Sequence, residues 1–299
     1  MEEVKLPWRG WKTDLFLGSG EFGRVYKISR EDSHLSEASM AVKIIRVPNN
    51  DDEIRWLLQD LFDEKSVREH YGDTVEKLLD VSHKTMLCNR NGHILKYDGF
   101  EAIRHDDGIG WDVFIRMELL PNIWNKLEIN ILSETQIIKL GKDLCSALIT
   151  YEEQGLLHGN IKPSNIFFNE YGDYKLSDAS INRIMMKIQY LGHPGTCKFY
   201  APEKYYNQEY SSAGDIYSLG LVMYLLLNNK RFPFEPINRI PAIEESEYAL
   251  MCRLRGTETF PNPVNGGKSL IDIVRKACAH NASERYKDGK EMLEALMTL

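Results

Sequence analysis

Residues Gly18 to Val25 read Gly-Ser-Gly-Glu-Phe-Gly-Arg-Val, three glycines at fixed offsets closed by a valine. Without Cβ atoms, such a run lets backbone N–H groups approach phosphate oxygens, which makes Gly18, Ser19, Gly20, Glu21, Phe22 and Gly23 candidate ligand-binding positions. A dinucleotide-binding loop would pass straight into a helix. Here Arg24-Val25-Tyr26-Lys27-Ile28 has the composition of a strand, which favours a hairpin folded over a nucleoside triphosphate. The plainer reading is a glycine-bearing hairpin turn with no ligand. Downstream, Ala41-Val42-Lys43 lies in another strand-like run, and a lysine there can reach phosphates as a point charge. Taken alone, Lys43 would be a solvated strand residue.

The elements that must position these groups follow from periodicity. Over residues 14–47 the runs DLFLG, GRVYKIS and MAVKIIRV are short, rich in β-branched and aromatic residues and separated by glycine or polar turns, so they predict antiparallel strands. Residues 51–92 are polar and charged with helical apolar spacing at Ile54, Leu57, Leu58 and Leu61 and again at Val75, Leu78 and Leu79. Strand-like HILKYDGF and WDVFIRMEL come next. From Ser133 the pattern turns helical: Ser133 with Gln136 reads as a capping box, and Ile137, Leu140, Leu144 and Leu148 share one face. A small lobe of sheet plus helix and a larger, mainly helical lobe, joined near 118–122, are expected, with a ligand cleft between them.

Composition narrows the class. The chain has 299 residues, 43% of them hydrophobic, and a formal net charge of -7. That is the profile of a globular protein with an ample core, and its acidity argues against nonspecific binding to nucleic acid or anionic membrane. No apolar run of membrane-spanning length occurs, and the polar, acidic start is unlike a secretory signal, so a cytoplasmic location is expected. Cys88, Cys145, Cys197, Cys252 and Cys278 are scattered and form no Cys-x-x-Cys pair, which suggests neither a disulfide framework nor a zinc site. The histidines likewise show no metal-ligand spacing, and His193 reads as a solvated loop residue.

Further motifs occur in order. His158-Gly159-Asn160-Ile161-Lys162-Pro163-Ser164-Asn165 resembles the catalytic loop H-R-D-x-K-x-x-N of protein kinases, and Leu176-Ser177-Asp178 resembles the strand that ends in their metal-binding aspartate. Ala201-Pro202-Glu203 matches A-P-E, and Met117-Glu118-Leu119-Leu120 resembles the linker that pairs with adenine. Asp215 to Gly220 looks like the buried helix of the large lobe, and Ser283-Glu284-Arg285-Tyr286 like the late segment whose arginine pairs with the A-P-E glutamate, here Glu203. The resemblance is to protein kinases, from about Trp11 to the C-terminus. Ile109 to Asp112, Leu226 to Asn229 and Arg253 to Gly256 are similar to bacterial eukaryotic-like serine/threonine kinases.

The resemblance implies an α+β bilobal kinase fold as a single domain over 1–299, with an N-lobe over 1–117 (antiparallel sheet plus one helix), a hinge over 118–122 and a mainly helical C-lobe over 123–299. It implies ATP and Mg2+ as cofactors, with Lys43 on the phosphates and Asn165 and Asp178 on the metal. Lys162 would steady the transferred phosphate and Gly195-Thr196 would form the substrate-facing turn. Val25, Ala41 and Phe167 would enclose adenine, backbone groups of Glu118 and Leu120 would bond it, and Met117 of the same linker is a further cofactor-binding position. The implied partner is a protein substrate or a regulated protein.

Three positions depart from the pattern. Asn160 stands where the catalytic aspartate belongs; its amide has the same shape but cannot accept the proton leaving a serine hydroxyl. The D-F-G segment is Asp178-Ala179-Ser180, which puts a methyl group in place of a phenylalanine. Family spacing puts Ser82 where a helix glutamate should pair with Lys43, with Glu76 as the alternative if a short insertion intervenes. Gly159 in place of arginine removes the usual cation for a phosphorylated activation segment (Ser180 to Lys198), in which Tyr190 is the remaining candidate for modification. Two function classes follow: a serine/threonine kinase silenced at Asn160, by nature or by engineering, and a pseudokinase that binds nucleotide and regulates a partner. Transfer to a small molecule fits less well, because Lys162, Thr196 and A-P-E shape a groove for polypeptide. A longer native protein is compatible with the position of the last helical pattern, Lys290 to Leu299.

Overall fold

A computed structural model of the chain describes residues 4–20, 22–30, 39–48, 55, 63–106, 109–124, 127, 131–186 and 197–299. Its strands are β1 (Trp11–Gly20), β2 (Gly23–Arg30), β3 (Met40–Val47), β4 (Tyr97–Arg104), β5 (Trp111–Met117), β6 (Ile166–Phe168) and β7 (Tyr174–Leu176). Its helices are α1 (Glu64–Leu87), α2 (Glu134–Glu153), α3 (Ile181–Met185), α4 (Pro202–Tyr205), α5 (Ser212–Leu227), α6 (Ile243–Arg255), α7 (Lys268–Ala277) and α8 (Gly289–Leu296). Described residues within Met1–Arg90, Leu95–Leu119 and Ser180–Gly192 form one compact unit, and those within Asn91–Ile94, Leu120–Ala179 and His193–Leu299 form a second.

The first unit is built on a five-stranded antiparallel sheet in the order β1-β2-β3-β5-β4. The run MAVKIIRV forms β3, and its two faces are both covered, as its near-continuous hydrophobicity requires. On one face Val42 joins Ile28 and Phe114 in a core sealed by Leu6, Trp8, Trp11 and Tyr26. The Arg116 guanidinium lies 4.5 Å from the Trp8 ring and 4.7 Å from the Trp11 ring while bonding Asp98 at 2.7 Å, which ties the N-terminal segment to the sheet. Helix α1 starts where Asp63 accepts from the Ser66 N–H at 2.8 Å and buries Val67, Tyr71, Val75, Leu78 and Val81. It packs against β4 and α3.

Helix α3 occupies part of the stretch read from sequence as an activation segment, and it buries Ile181, Asn182 and Met185. The apolar positions Ile54, Leu57, Leu58 and Leu61 lie outside the described residues. The HILKYDGF run becomes a strand only from Tyr97; Ile94 instead makes an isolated bridge to Leu176 in the second unit, to which both belong.

The second unit is organised around α5, where every residue from Ala213 to Leu227 is buried. Such an all-round apolar helix needs neighbours on every side, and α2, α7 and α8 supply them. The Ser133–Gln136 capping box is formed, and Ile137, Leu140, Leu144 and Leu148 are buried on the expected face of α2. The last helix starts at Gly289, capped by Asp288, and ends at Leu296. Cys88, Cys145, Cys252 and Cys278 are buried free thiols. Among the described residues no helix is long and apolar enough to cross a membrane.

Candidate functional site

In the first unit the glycine run forms the β1–β2 hairpin, with Gly18 opposite Val25 and Gly20 opposite Gly23. Its three glycines do different things. Gly18 has φ +150° and open space around it, as a loop free to accept a ligand would. A Cβ on Gly23 would collide with the Ile44 carbonyl, so that glycine lets β2 and β3 lie close together. Ser19 and Gly20 lie at the exposed tip of β1, the neighbouring Phe22 ring is buried, and Glu21 lies outside the described residues.

Val25 pairs with Lys43, and Lys43 pairs with Ile115 on β5. Lys43 is 8% exposed, so it is a buried side chain rather than a solvated strand residue. Ala41 and Met117 are buried partners across β3 and β5. The Glu118 N–H donates to the Lys96 carbonyl at 2.9 Å, and its carboxylate accepts from the Lys96 N–H at 2.7 Å. A ligand contact at the Glu118 backbone is thereby restricted to its carbonyl. On α1, Glu76 is exposed, whereas Ser82 is fully buried and its hydroxyl donates to the Leu78 carbonyl at 2.8 Å. The helix face that is buried therefore presents serine at this level.

The second unit holds the loop His158–Asn165 in detail. Asp215, on α5, accepts from the His158 N–H at 2.8 Å through one oxygen and from the Gly159 N–H at 2.7 Å and the Tyr210 hydroxyl at 2.7 Å through the other. The fully buried His158 ring bonds the Ser177 carbonyl through Nε2 at 2.7 Å and accepts the Asn160 N–H on Nδ1 at 3.1 Å. Those two roles assign the neutral tautomer with the proton on Nε2. Burial pushes the His158 pKa down, and the nearby Asp215 carboxylate opposes that shift only in part.

Asn160 is buried, and its backbone carbonyl accepts from Asn165 Nδ2 at 2.8 Å. That bond sets the Asn165 amide so that Oδ1 is the side-chain atom left to serve another group. The Ser177 N–H donates to the Asn165 carbonyl at 3.0 Å, which seats Asp178 beside the loop. Asp178 has φ +64°, a left-handed geometry uncommon for aspartate and frequent at functional sites.

The strand leading to Asp178 is anchored along its length. Asp143 accepts from Lys139 at 2.6 Å and from the Tyr174 N–H at 3.0 Å, Lys139 also bonds Asp173 at 2.8 Å, and the Tyr151 hydroxyl donates to the Leu176 carbonyl at 3.2 Å. Lys162 opens the turn Pro163–Asn165, its carbonyl accepting the Asn165 N–H at 2.9 Å. Phe167 and Leu120 are half-buried in this unit, with Phe167 pairing Lys175. Thr196, Gly195, Tyr190 and His193 lie outside the described residues.

The donor chemistry fits magnesium with a nucleotide. An amide oxygen and a carboxylate are hard oxygen ligands, and a metal carried by phosphates needs only one or two protein groups. Among the described residues no set of three or more His, Cys, Asp or Glu side chains could cage a metal by itself.

Glu203 forms a two-pronged ion pair with the fully buried Arg285 at 2.7 and 2.9 Å, as the motif pairing implied. Sequence reading missed the role of Asp215 as the clamp of the loop and that of Lys204 on the same loop. The signal for Asp215 was a single carboxylate inside the most apolar run of the chain, which a fold tolerates only when the charge is fully bonded. Nothing in the residue pattern marked Lys204.

Comparison with known proteins bears on the family. Mitogen-activated protein kinase kinase 10 of Arabidopsis thaliana is 33% identical over 151 residues, 48% of this chain and 47% of that protein. Serine/threonine/tyrosine-protein kinase HT1 of the same plant is 22% identical over 289 residues, 93% of this chain and 65% of that protein. Serine/threonine-protein kinase PknB of Mycobacterium leprae is 29% identical over 164 residues, 52% of this chain and 25% of that protein. This chain thus spans less than two thirds of the length of each of these relatives. The protein kinase domain family matches residues 11–296, nearly the whole chain, with the loop, the glycine hairpin and the Glu203–Arg285 pair all inside the match, and the chain belongs to that family.

Proposed function

We propose that this kinase domain binds ATP with magnesium and that its fold is competent to pass the γ-phosphate to a serine or threonine of a protein once aspartate stands at position 160. The observation that carries the reading is the fixed backbone around Asn160. His158, Asp215 and Asn165 hold the loop from three sides, and the bond from the Ser177 N–H to the Asn165 carbonyl ties the end of the neighbouring strand to it.

In this reading Lys43 serves the phosphates, Asn165 and Asp178 serve magnesium, and Lys162 serves the acceptor peptide. The metal, when bound, neutralises charge on the transferring group. Asn160 can orient an acceptor hydroxyl by hydrogen bonding but takes no proton from it. Catalysis by the chain as written is then about a hundred- to ten-thousand-fold below that of the aspartate form.

The test is transfer of labelled phosphate from ATP to a basic serine/threonine peptide by the chain and by its Asn160→Asp variant. Transfer gained in the variant by that factor is expected. If neither protein labels although both bind nucleotide, the catalytic reading fails.

A second reading, a nucleotide-binding pseudokinase that regulates a partner protein, is favoured by Asn160 in place of aspartate and by the buried Ala179 in place of an aromatic ring. It predicts that binding survives while Asn160→Asp adds no transfer.

A further inference from the structure

Gly159 occupies the position at which related loops carry an arginine, and it has φ +70°, a conformation that glycine adopts without strain. Its carbonyl is not left to solvent. Lys204 Nζ, on α4 immediately after Ala201-Pro202-Glu203, donates a hydrogen bond to it. The same ammonium stands 3.6 Å from the centroid of the Tyr200 ring and 5.9 Å from that of Tyr210. The Tyr210 hydroxyl bonds the Asp215 oxygen that also accepts the Gly159 N–H. Gly159 is therefore gripped at both ends of its residue, the N–H by Asp215 and the carbonyl by Lys204, and Tyr210 joins the two grips.

We infer that Lys204 is a positioning residue that sets the turn ahead of Asn160 from the A-P-E side. A built-in cation thus does mechanically what an arginine bound to a phosphorylated segment would do. The physical basis is a charge-assisted bond to a carbonyl, stiffened by cation–π contact with a neighbouring ring. Because the group that grips the carbonyl is part of the chain itself, the loop geometry does not depend on adding a phosphate elsewhere. The inference rests on reading His158–Asn165 as a phosphotransfer loop, but its first test does not require transfer.

The experiment compares Lys204→Met, which keeps the length and loses the charge, with Lys204→Arg, which keeps the charge, in the full chain. Amide hydrogen exchange is measured at His158 to Ile161 and, as reference, along α5. Lys204→Met is expected to speed exchange at the loop at least tenfold with α5 unchanged, while Lys204→Arg stays within twofold of the parent. Equal protection in all three proteins, or Met behaving as well as Arg, would show that Lys204 only packs and would overturn the inference. Should Lys204→Met fail to fold, Tyr200→Leu replaces it: faster exchange confined to the loop supports the role, and none refutes it. In an Asn160→Asp background, Lys204→Met is expected to lower kcat about tenfold with the KM for ATP within twofold, and Lys204→Arg to recover at least half. Absence of transfer in that background would sink the catalytic reading of the domain, whereas the exchange result would still decide the role of Lys204.

Discussion

At the scale of single residues, Asn160 separates geometry from chemistry, because its main chain is held by the His158 ring and by Asn165 whatever atom ends its side chain. His158 itself makes a prediction. Its neutral form is required, since Nδ1 must accept the Asn160 N–H, and burial holds its folded pKa below the ordinary value near 6.5. The sign follows: below pH 6.5 the unfolded chain takes up a proton that the folded chain refuses, so stability falls on acidification. Urea midpoints at pH 7.5 and 5.5 should differ in that direction, and His158→Phe should flatten the dependence. The motif pattern marked the loop that carries Asn165 and the strand end that carries Asp178, and the structure joins the two by the bond from the Ser177 N–H to the Asn165 carbonyl. The sequence pattern could not reveal that the Glu118 N–H is committed to Lys96 or that Gly23 serves strand packing, because both depend on which backbone atoms meet across a sheet.

Elements carry the next level of argument. Arg285 has no exposed side chain and bonds Glu203 together with the carbonyls of Ala213, Ala279 and His280. Replacing Glu203 by alanine leaves a buried guanidinium without its counter-charge, which typically costs about 3–5 kcal/mol. Urea denaturation should show that loss; an effect under about 1 kcal/mol would mean that the three carbonyls satisfy Arg285 unaided. The sheet and α2 were readable from period and capping, since Ser133, Gln136 and the apolar stripe all point the same way. Helix α3 was not, because five residues, INRIM, offer too short a window for periodicity, and its burial against α1 is a tertiary effect. The rotation of α1 was likewise not legible: Ser82 lies on its buried face and Glu76 on its exposed one.

On the scale of the whole molecule, the proposed ligand should stabilise the native chain by mass action. ATP with magnesium at a hundred times its Kd should add about 2.7 kcal/mol, read as a rise in Tm, and chelation of the magnesium should remove most of that gain. No rise with either nucleotide or metal would count against ATP binding. The ordered motifs announced the family over nearly the entire chain, but not how the chain is shared between its two compact units. The path crosses from one unit to the other after Arg90, Ile94, Leu119, Ala179 and Gly192. That discontinuity bears on dissection of the protein. A stop codon after Leu119 would release a fragment that lacks α3, so the part of α1 that α3 covers would meet water, and the fragment would keep Asn91–Ile94, whose packing partners had been deleted. Such a half-gene product is expected to be sticky and protease-sensitive, and complementary halves to recover native behaviour only when co-expressed.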